Sequence, residues 1–500
     1  MLTNTGLLNK LTIKQVLLIG LLFRLLAVFY SKGYGFHDDH FETLELVDRW
    51  QHGISFLWTG SNVHVFSLIY PGFLYLIFKG CHLLGLNDPE QITFVSRLIH
   101  ALFSLLSIFY GYKLTIRLTG NKKTGIIVAL AMAIFWIFPF MAVRNLREFV
   151  CVPFLLIASY HIADNKFSYR SIFLSTLFFA LAFSVRLQIV FIPVGIGIFL
   201  LFQKGQIKKG LAFAVFSVIG FMLTQGLFDT VYYGDPFASV AEYLRFNSDK
   251  TNIEMQPQGP WYQYIGTVAG LVWGLPFLLL AAGYIYTARM NPASKMLFWG
   301  SLLFFAFHSY YSNKQERFIL PFIPYFLMLG IIGFKELYNQ YSNKKWLVKS
   351  TKFFMGWFIV LNTIALLVIS VTYSKRSRVE AMVYLYKKGD VSNLIMESDN
   401  GSPRPPLFYL GKQFNYYELK MNDSLPVLTQ YIDKGTYPLP NYIIMSGNKH
   451  FEERLNRLKT MYPELQYETD IKPGLIDKIA YQLNPKHNVN ETWHIYKIKK

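Results

Sequence analysis

Residues 352–374 read KFFMGWFIVLNTIALLVISVTYS, an almost uncharged apolar run just before the chain turns polar. The run matches the roughly 20 residues that an α-helix needs to cross about 30 Å of hydrocarbon. Inside a bilayer the backbone must satisfy its own hydrogen bonds, so such a run can only be a helix. The stretch therefore predicts a membrane-spanning helix.

Similar runs fill the chain before it. The 500 residues are 53% hydrophobic and 17% aromatic. Their charged share of 16% lies well below the about 25% of ordinary soluble domains. We therefore predict an all-α polytopic membrane protein of about 11 transmembrane helices. The other ten spans are expected at 14–30, 92–116, 125–143, 147–163, 171–185, 187–203, 209–231, 261–287, 295–311 and 317–336.

The charge pattern indicates how the chain is oriented. The net charge is +19, and the basic residues lie in short loops between apolar runs rather than in a nucleic-acid-binding module. The expected partner is therefore the lipid bilayer and not nucleic acid. If 64–86 were another span, several basic loops would face outside, against the positive-inside rule. His64, Pro71 and Lys79 also interrupt that stretch. We therefore expect an interfacial segment there, with the N-terminus inside and the C-terminus outside.

Two domains are expected on this basis. Residues 1–374 form the transmembrane domain, with the first outer loop and its interfacial helices at 31–91. Residues 375–500 are polar and predict a small extracytoplasmic α/β domain, because β-like runs at 393–396 and 442–445 alternate with helix-like stretches.

The first outer loop concentrates acidic residues. Burial and like charge raise a carboxylate pKa, so one such residue can act as a general base. The same oxygens suit a divalent cation, and a solvated juxtamembrane loop is the plainer interpretation. No Gly-rich phosphate loop, nucleophile elbow or zinc signature is present, so the sequence does not support a soluble nucleotide-sugar enzyme. We expect no required cofactor, and a divalent cation is possible. The cluster comprises His37, Asp38, Asp39, His40, Glu42 and Glu45.

Two basic clusters lie at other outer boundaries. In 309–318, Lys314 and Arg317 are spaced to share a helical face, and Glu316 is placed to orient one of them. A guanidinium binds two phosphate oxygens at once, although charges at a helix boundary also simply reach for lipid headgroups. In 144–148, Arg144 and Arg147 are first of all a helix-end charge cluster.

These motifs resemble the C-type (GT-C) glycosyltransferases, and among them the polyprenyl-phosphate-mannose-dependent α-mannosyltransferases of N-glycan and GPI-anchor assembly. Residues 36–45 (FHDDHFETLE) are similar to that family's His-Pro-Asp-Glu loop, with His37 at the proline position. Residues 313–321 (NKQERFILP) resemble its His-Lys-Glu-x-Arg-Phe-x-x-Pro segment. DTVYYG at 229–234, YLRFN at 243–247 and GPWY at 259–262 match in order.

The resemblance implies an inverting glycosyltransferase that moves a hexose, most simply mannose, from a polyprenyl-phosphate sugar to a glycan or glycolipid. Asp38 would be the base, with Asp39 as the fallback. Lys314 and Arg317 would hold the donor phosphate, and Arg144 and Arg147 are further candidates. The expected substrate-binding residues are His37, His40, Glu42, Glu45 and Glu316.

Alternatives stay open at this point. The same scaffold would serve transfer of another sugar or a whole glycan, and a membrane transporter is a different class of function. Low cysteine usage and imperfect motifs favour a bacterial inner membrane with the active face periplasmic. The endoplasmic reticulum membrane, with a lumenal active face, is the alternative location.

Overall fold

The computed structural model describes residues 10–54, 63–164, 167–399, 401, 403–435, 437–485 and 488–499. Residues 55–62, part of the predicted first outer loop, lie outside the described residues. The chain divides into two compact units. The helical unit comprises Met1–Ala27, Leu57–Phe73 and Arg97–Ser370, and the mixed unit comprises Val28–Phe56, Leu74–Ser96 and Val371–Lys500. The polar tail thus shares its unit with earlier segments, and its assignment as a separate domain stays a prediction.

Apolar helices make up most of the helical unit. The helices Ile13–Tyr30, Ile69–Leu83 and Pro89–Thr119 begin or end in the mixed unit. The others are Lys122–Ile134, Ile137–Ala142, Arg147–Val150, Val152–Ile162, Tyr169–Val185, Phe191–Phe202, Ile207–Phe221, Leu227–Tyr233, Ala238–Ser248, Lys250–Met255, Gln263–Leu271, Pro276–Tyr286, Pro292–Tyr310, Ile323–Tyr341 and Lys345–Ile369. Short 3-10 segments cover Leu187–Val190, Thr287–Arg289 and Glu316–Phe322, and a π-helical turn covers Met222–Gly226.

Several helices are suited to a membrane. Within the described ranges, five are long and apolar enough to cross one: Ile13–Tyr30, Pro89–Thr119, Ile207–Tyr233, Glu316–Tyr341 and Lys345–Ile369. A bent pair, Gln263–Leu271 with Pro276–Arg289, makes a sixth if it counts as one span. The protein is therefore a mostly helical membrane protein. The number of 11 spans and the interfacial position of 64–86 stay predictions.

The span predicted as one helix at 261–287 is wrong in one respect, because it consists of two helices that meet at 112°. Trp273 (φ 65°) and Gly274 (φ 77°) are left-handed, which a continuous helix does not allow, and Pro276 begins the second helix. Indole N–H groups satisfy carbonyls freed at the break. Trp136 Nε1 donates to the carbonyl of Leu271 (2.8 Å) and Trp357 Nε1 to that of Trp273 (3.0 Å).

The mixed unit contains a five-stranded sheet in the order β2-β1-β3-β5-β4. Its strands are β1 (Leu394–Ser398), β2 (Tyr417–Lys420), β3 (Tyr442–Ser446), β4 (Leu465–Ile471) and β5 (Trp493–Ile498). β1 pairs in parallel with β2 and β3, whereas β5 is antiparallel to β3 and β4. β1 and β3 are buried at every residue, as expected for central strands. The predicted α/β character of the tail is confirmed.

Helices of the mixed unit accompany this sheet. They are Arg376–Lys388, Leu425–Asp433, Phe451–Met461 and Leu475–Leu483, with a 3-10 turn at Leu407–Leu410. The core combines Ile395 and Ile443 from the strands with Leu428 and Leu458 from the helices. The first outer loop also enters this unit as the short helices His37–Asp39 and Glu45–Gln51, joined by a π-helical turn at His40–Leu44.

Candidate active site

The acidic segment, residues 37–51, is one continuous helical stretch of the mixed unit. It begins as an α-helix, widens into a π-helical turn at His40–Leu44 and returns to an α-helix. Single π-helical turns are rare in proteins, and those that occur are often found at functional sites. The carboxylates singled out from the sequence therefore lie on an irregular helix, where neighbouring side chains are re-aimed.

Asp38 and Asp39 have different surroundings. The Asp39 side chain is 4% exposed, and its two oxygens accept hydrogen bonds from the backbone N–H groups of Gly35 (3.0 Å) and Phe36 (3.1 Å). The side chain of Asp38 is only half-buried, and Thr43 Oγ1 donates to the Asp38 backbone carbonyl (3.1 Å). Asp39 thus organises the loop ahead of the helix. The catalytic roles of Asp38 and Asp39 stay predictions.

His40 and Glu45 form a buried pair, with 3.1 Å between His40 Nε2 and Glu45 Oε1. Rings of Tyr34 and Tyr409 stack on His40, at centroid distances of 4.7 and 5.5 Å. Burial acts to raise the pKa of Glu45, but hydrogen bonds from His40, the Phe408 N–H and the Gln413 amide outweigh it and hold that pKa below its usual value. This geometry fits a role in positioning the acidic segment.

The other two predicted substrate-binding residues of this segment are more accessible. His37 is exposed and stacks on Phe41 at 4.4 Å, and Glu42 is half-buried. The structure contains no substrate, so the substrate-binding roles of His37, His40, Glu42 and Glu45 stay predictions.

A buried arginine pair lies in the helical unit around Glu148. Nη1 of Arg186 and Nη1 of Arg317 lie 2.9 and 3.3 Å from Glu148 Oε1. All three side chains are at most 8% exposed. In the described part of the chain, Nε and Nη2 of Arg186 have no hydrogen-bond partner. Buried charges are costly unless paired, and Glu148 pairs with both guanidinium groups, whose planar forks are suited to binding an anion.

Three helix ends bring these charges together. Arg186 has an extended backbone (φ −151°, ψ 110°) between the helix Tyr169–Val185 and the following 3-10 turn. Glu148 lies in the first turn of Arg147–Val150, and Arg317 lies in the 3-10 segment Glu316–Phe322. The sequence analysis did not select Arg186 or Glu148, although a charged residue at a break between apolar runs was a usable signal.

The expectation that Lys314 and Arg317 share a helical face is wrong. Asn313 forms a β-bridge with Gln258, and the Lys314 N–H donates to the carbonyl of Pro257 (2.8 Å), so the chain is extended there. The 3-10 segment begins only at Glu316. Glu316 is exposed, and the carboxylate that orients Arg317 is Glu148 rather than Glu316.

The ammonium group of Lys314 caps a helix. It donates to the carbonyls of His308 (2.9 Å), Ser309 (3.1 Å) and Tyr311, at the C-terminus of Pro292–Tyr310. Burial lowers the pKa of Lys314. Because an ammonium has three donors, a phosphate contact by Lys314 would displace at least one of these bonds. The phosphate role of Lys314 stays a prediction.

Arg144 and Arg147 are packed on aromatic rings in the same unit. Their guanidinium carbons lie 4.2 Å from the Phe140 ring and 3.9 Å from the Phe66 ring. Burial, and then the Arg147 charge, lower the pKa of His64 to about 4, so His64 is neutral at physiological pH. The phosphate-binding roles of Arg144 and Arg147 stay predictions.

In the described ranges, no group of three or more His, Cys, Asp or Glu side chains is placed to hold a metal ion. Asp39 accepts hydrogen bonds from backbone N–H groups, and Glu45 contacts His40 and Gln413. That no cofactor is required, with a divalent cation possible, stays a prediction.

Two solved structures have a fold similar to that of this chain. ArnT from Cupriavidus metallidurans in the apo state superposes with a TM-score of 0.61 at 11% identity, covering 96% of this chain and 97% of that one. The Archaeoglobus fulgidus oligosaccharyltransferase gives a TM-score of 0.52 at 11% identity, covering 86% of this chain and 68% of that one. The fold is therefore of the GT-C type.

Sequence relatives narrow the family. Mannosyltransferase APTG1 of Arabidopsis thaliana is 23% identical over 332 residues, 65% of this chain and 59% of that protein. GPI mannosyltransferase 3 of Yarrowia lipolytica is 24% identical over 343 residues, 67% of this chain and 64% of that protein. The chain thus spans less than two thirds of these two relatives. The model of the Alg9-like mannosyltransferase family matches residues 15–398, well over half of the chain. The chain belongs to the Alg9-like mannosyltransferase family.

Proposed function

We propose that this protein is an inverting mannosyltransferase that moves mannose from a polyprenyl-phosphate donor to a hydroxyl of a glycan or glycolipid. The observation that carries the proposal is the buried arginine pair on Glu148, in a chain that belongs to a mannosyltransferase family. A lipid phosphate that binds there would accept hydrogen bonds from the planar guanidinium forks of these arginines.

The proposed reaction has two chemical parts. The half-buried carboxylate of Asp38 accepts the proton of the acceptor hydroxyl, whose oxygen attacks the anomeric carbon on the side opposite the phosphate. The bond between the anomeric carbon and the phosphate oxygen breaks, and its electron pair stays on the departing polyprenyl phosphate. Arg317 and Arg186 stabilise the charge that develops on that oxygen. The proton leaves Asp38 for solvent.

The remaining residues take supporting roles in this proposal. Asp39, His40 and Glu45 hold the acidic segment in place through the contacts described above. Lys314 fixes the helix end that precedes Arg317, and it would reach the phosphate only by giving up a carbonyl. Arg144 and Arg147 would bind the same phosphate or a neighbouring anionic headgroup.

The relatives bear on the sugar, the acceptor and the membrane in which the protein would act. The names of the relatives favour mannose over another sugar, and those called GPI mannosyltransferases favour a glycosylphosphatidylinositol-type glycolipid as acceptor. Family membership favours the transferase over the transporter. The relatives named above come from a plant and a yeast. This origin favours the endoplasmic reticulum membrane, with a lumenal active face, over the bacterial inner membrane.

A donor titration tests the phosphate assignment. Membranes that contain the full chain are given radiolabelled polyprenyl-phosphate mannose and a mannose-bearing glycolipid, and label in the glycolipid is measured. We expect Arg186→Gln to raise the KM for the donor at least tenfold. The matched control is Arg245→Gln, because Arg245 also pairs with a glutamate but is 62% exposed. Equal donor KM values for the two variants would contradict the assignment.

A further inference from the structure

A cavity of about 730 Å³ opens in the mixed unit beside the acidic segment. The acidic segment contributes Phe41 and Glu45 to its wall, and the tail contributes the stretch 413–418 and the helix Leu425–Asp433. Ligand pockets in proteins typically measure about 300–1,000 Å³. The cavity is therefore large enough for an organic ligand, and no step of the proposed reaction has used it.

The wall of this cavity combines aromatic faces with planar polar groups. Tyr416, Tyr431 and Tyr437 supply rings, whereas Arg404 and Asn415 supply hydrogen-bonding groups. The Arg404 guanidinium carbon lies 4.8 Å from the Phe41 ring. A sugar ring offers apolar C–H faces that pack on aromatic rings and hydroxyls that pair with guanidinium, amide and carboxylate groups. This lining therefore suits a saccharide.

A second cavity, in the helical unit, has a different chemistry. Its volume is about 310 Å³, and apolar side chains such as Leu130, Phe135 and Phe358 line it almost throughout. An apolar wall suits a lipid chain, which has no hydroxyls to satisfy. The mixed lining of the cavity beside the acidic segment, with Glu45, Arg404 and Asn415 in its wall, favours a hydroxyl-bearing ligand over a lipid tail.

We propose that the cavity in the mixed unit, called here the tail cavity, binds the mannose-bearing glycan of the acceptor. The inference rests on the proposed function, because it takes Asp38 as the base. A general base must come within hydrogen-bond reach of the hydroxyl it deprotonates. Phe41, in the cavity wall, stacks on His37, the residue next to Asp38. An acceptor glycan held in the tail cavity thus adjoins the residue that would deprotonate it.

Binding of a free oligosaccharide tests this assignment without any transfer. The full chain in detergent is titrated with α-linked mannotriose, and saturation-transfer NMR reports the contact. Tyr431→Ala removes one ring of the cavity, and Tyr467→Ala is the matched control. Both tyrosines are 54% exposed, and Tyr467 lies on β4 away from the cavity. We expect wild type and Tyr467→Ala to bind equally, and Tyr431→Ala to bind roughly three- to tenfold more weakly.

A second variant guards against a simple folding effect. Asn415 is exposed at the cavity wall, so Asn415→Trp adds bulk to the cavity without disturbing a core. It should abolish mannotriose binding while the melting temperature stays that of wild type. Undiminished binding by Tyr431→Ala and Asn415→Trp would overturn the inference, and so would a wild type that does not bind mannotriose.

Transfer assays separate this inference from the proposed function. If it is correct, Tyr431→Ala raises the KM for the glycolipid acceptor and leaves the KM for the donor unchanged. A wild type that binds mannotriose in the tail cavity but transfers no mannose would contradict the proposed function and leave the binding site standing. If the wild type transfers mannose and Tyr431→Ala has the same KM for the acceptor, the binding site alone is contradicted and the proposed function is not.

Discussion

Replacing Glu148 by glutamine tests the buried arginine pair. The change keeps the size of the side chain but removes the only carboxylate that the structure pairs with both Arg186 and Arg317 in the described residues. Two guanidinium groups, each 8% exposed, would then lose the carboxylate that they share. Removing one member of a buried ion pair typically costs about 3–5 kcal/mol. Because the glutamine oxygen keeps a partial negative charge toward the guanidinium groups, we expect a loss near the lower limit, about 3 kcal/mol.

The chain offers a matched control in Glu242. This glutamate is also buried (8%), but its partner Arg245 is 62% exposed and keeps its hydration when the pair is broken. Separating an exposed guanidinium from its partner costs less than separating a buried one, so Glu242→Gln should destabilise the fold less than Glu148→Gln does.

Thermal unfolding in detergent, followed by tryptophan fluorescence, measures this difference. We expect a melting temperature several degrees lower for Glu148→Gln than for Glu242→Gln. Addition of undecaprenyl phosphate should recover part of the loss, because a bound phosphate supplies the missing negative charge. Equal melting temperatures, or no effect of the lipid phosphate on Glu148→Gln, would refute the idea that this cluster is an anion site.

Three other perturbations have defined outcomes. Burial raises the pKa of Asp48 from 3.8 to about 6 in the folded protein. The folded state therefore holds this proton more tightly than the unfolded state does. About 3 kcal/mol of the free energy of unfolding, present at low pH, is lost as the pH rises from 4 to 6. Melting of Asp48→Asn should lack that loss, and an unchanged pH dependence would contradict the burial argument. Lys314→Met leaves helix-end carbonyls without their donor, so melting should fall while the donor KM stays within threefold; a tenfold rise in that KM would instead assign Lys314 to the phosphate. Glu45→Gln removes the negative charge beside His40 and turns an amide N–H toward one of the donors that Glu45 accepts from. We therefore expect kcat to fall at least tenfold with little change in donor KM; full activity would remove the positioning role.

The sequence was sufficient for the features that depend on local pattern. Apolar runs such as 352–374 became the helix Lys345–Ile369, and alternation at 442–445 became β3. The acidic segment could be found because carboxylates next to an apolar span are costly and therefore conspicuous. The preference for Asp38 over Asp39 came from a resemblance and stays a prediction, whereas the backbone hydrogen bonds that Asp39 accepts could not be foreseen.

Features that depend on contacts between residues far apart in the sequence could not be predicted from local patterns. The turn at Trp273 and Gly274 is stabilised by indole donors from Trp136 and Trp357, which no local pattern connects. Arg186, Glu148 and Arg317 come from three separate helix ends, so their pairing emerges only in the folded chain. For Lys314, helical spacing was misleading because a β-bridge at Asn313 keeps the segment extended.

The central claim is that Asp38 is the base of a mannosyl transfer from a polyprenyl phosphate. The most direct test compares wild type, Asp38→Asn and Asp39→Asn at equal abundance in membranes, with radiolabelled polyprenyl-phosphate mannose and a mannose-bearing glycolipid. The account predicts transfer by wild type and a fall in kcat of about 10²–10⁴-fold for Asp38→Asn at unchanged donor KM. For Asp39→Asn it predicts a loss of stability that accompanies any loss of rate. Transfer by Asp38→Asn within threefold of wild type would contradict the account.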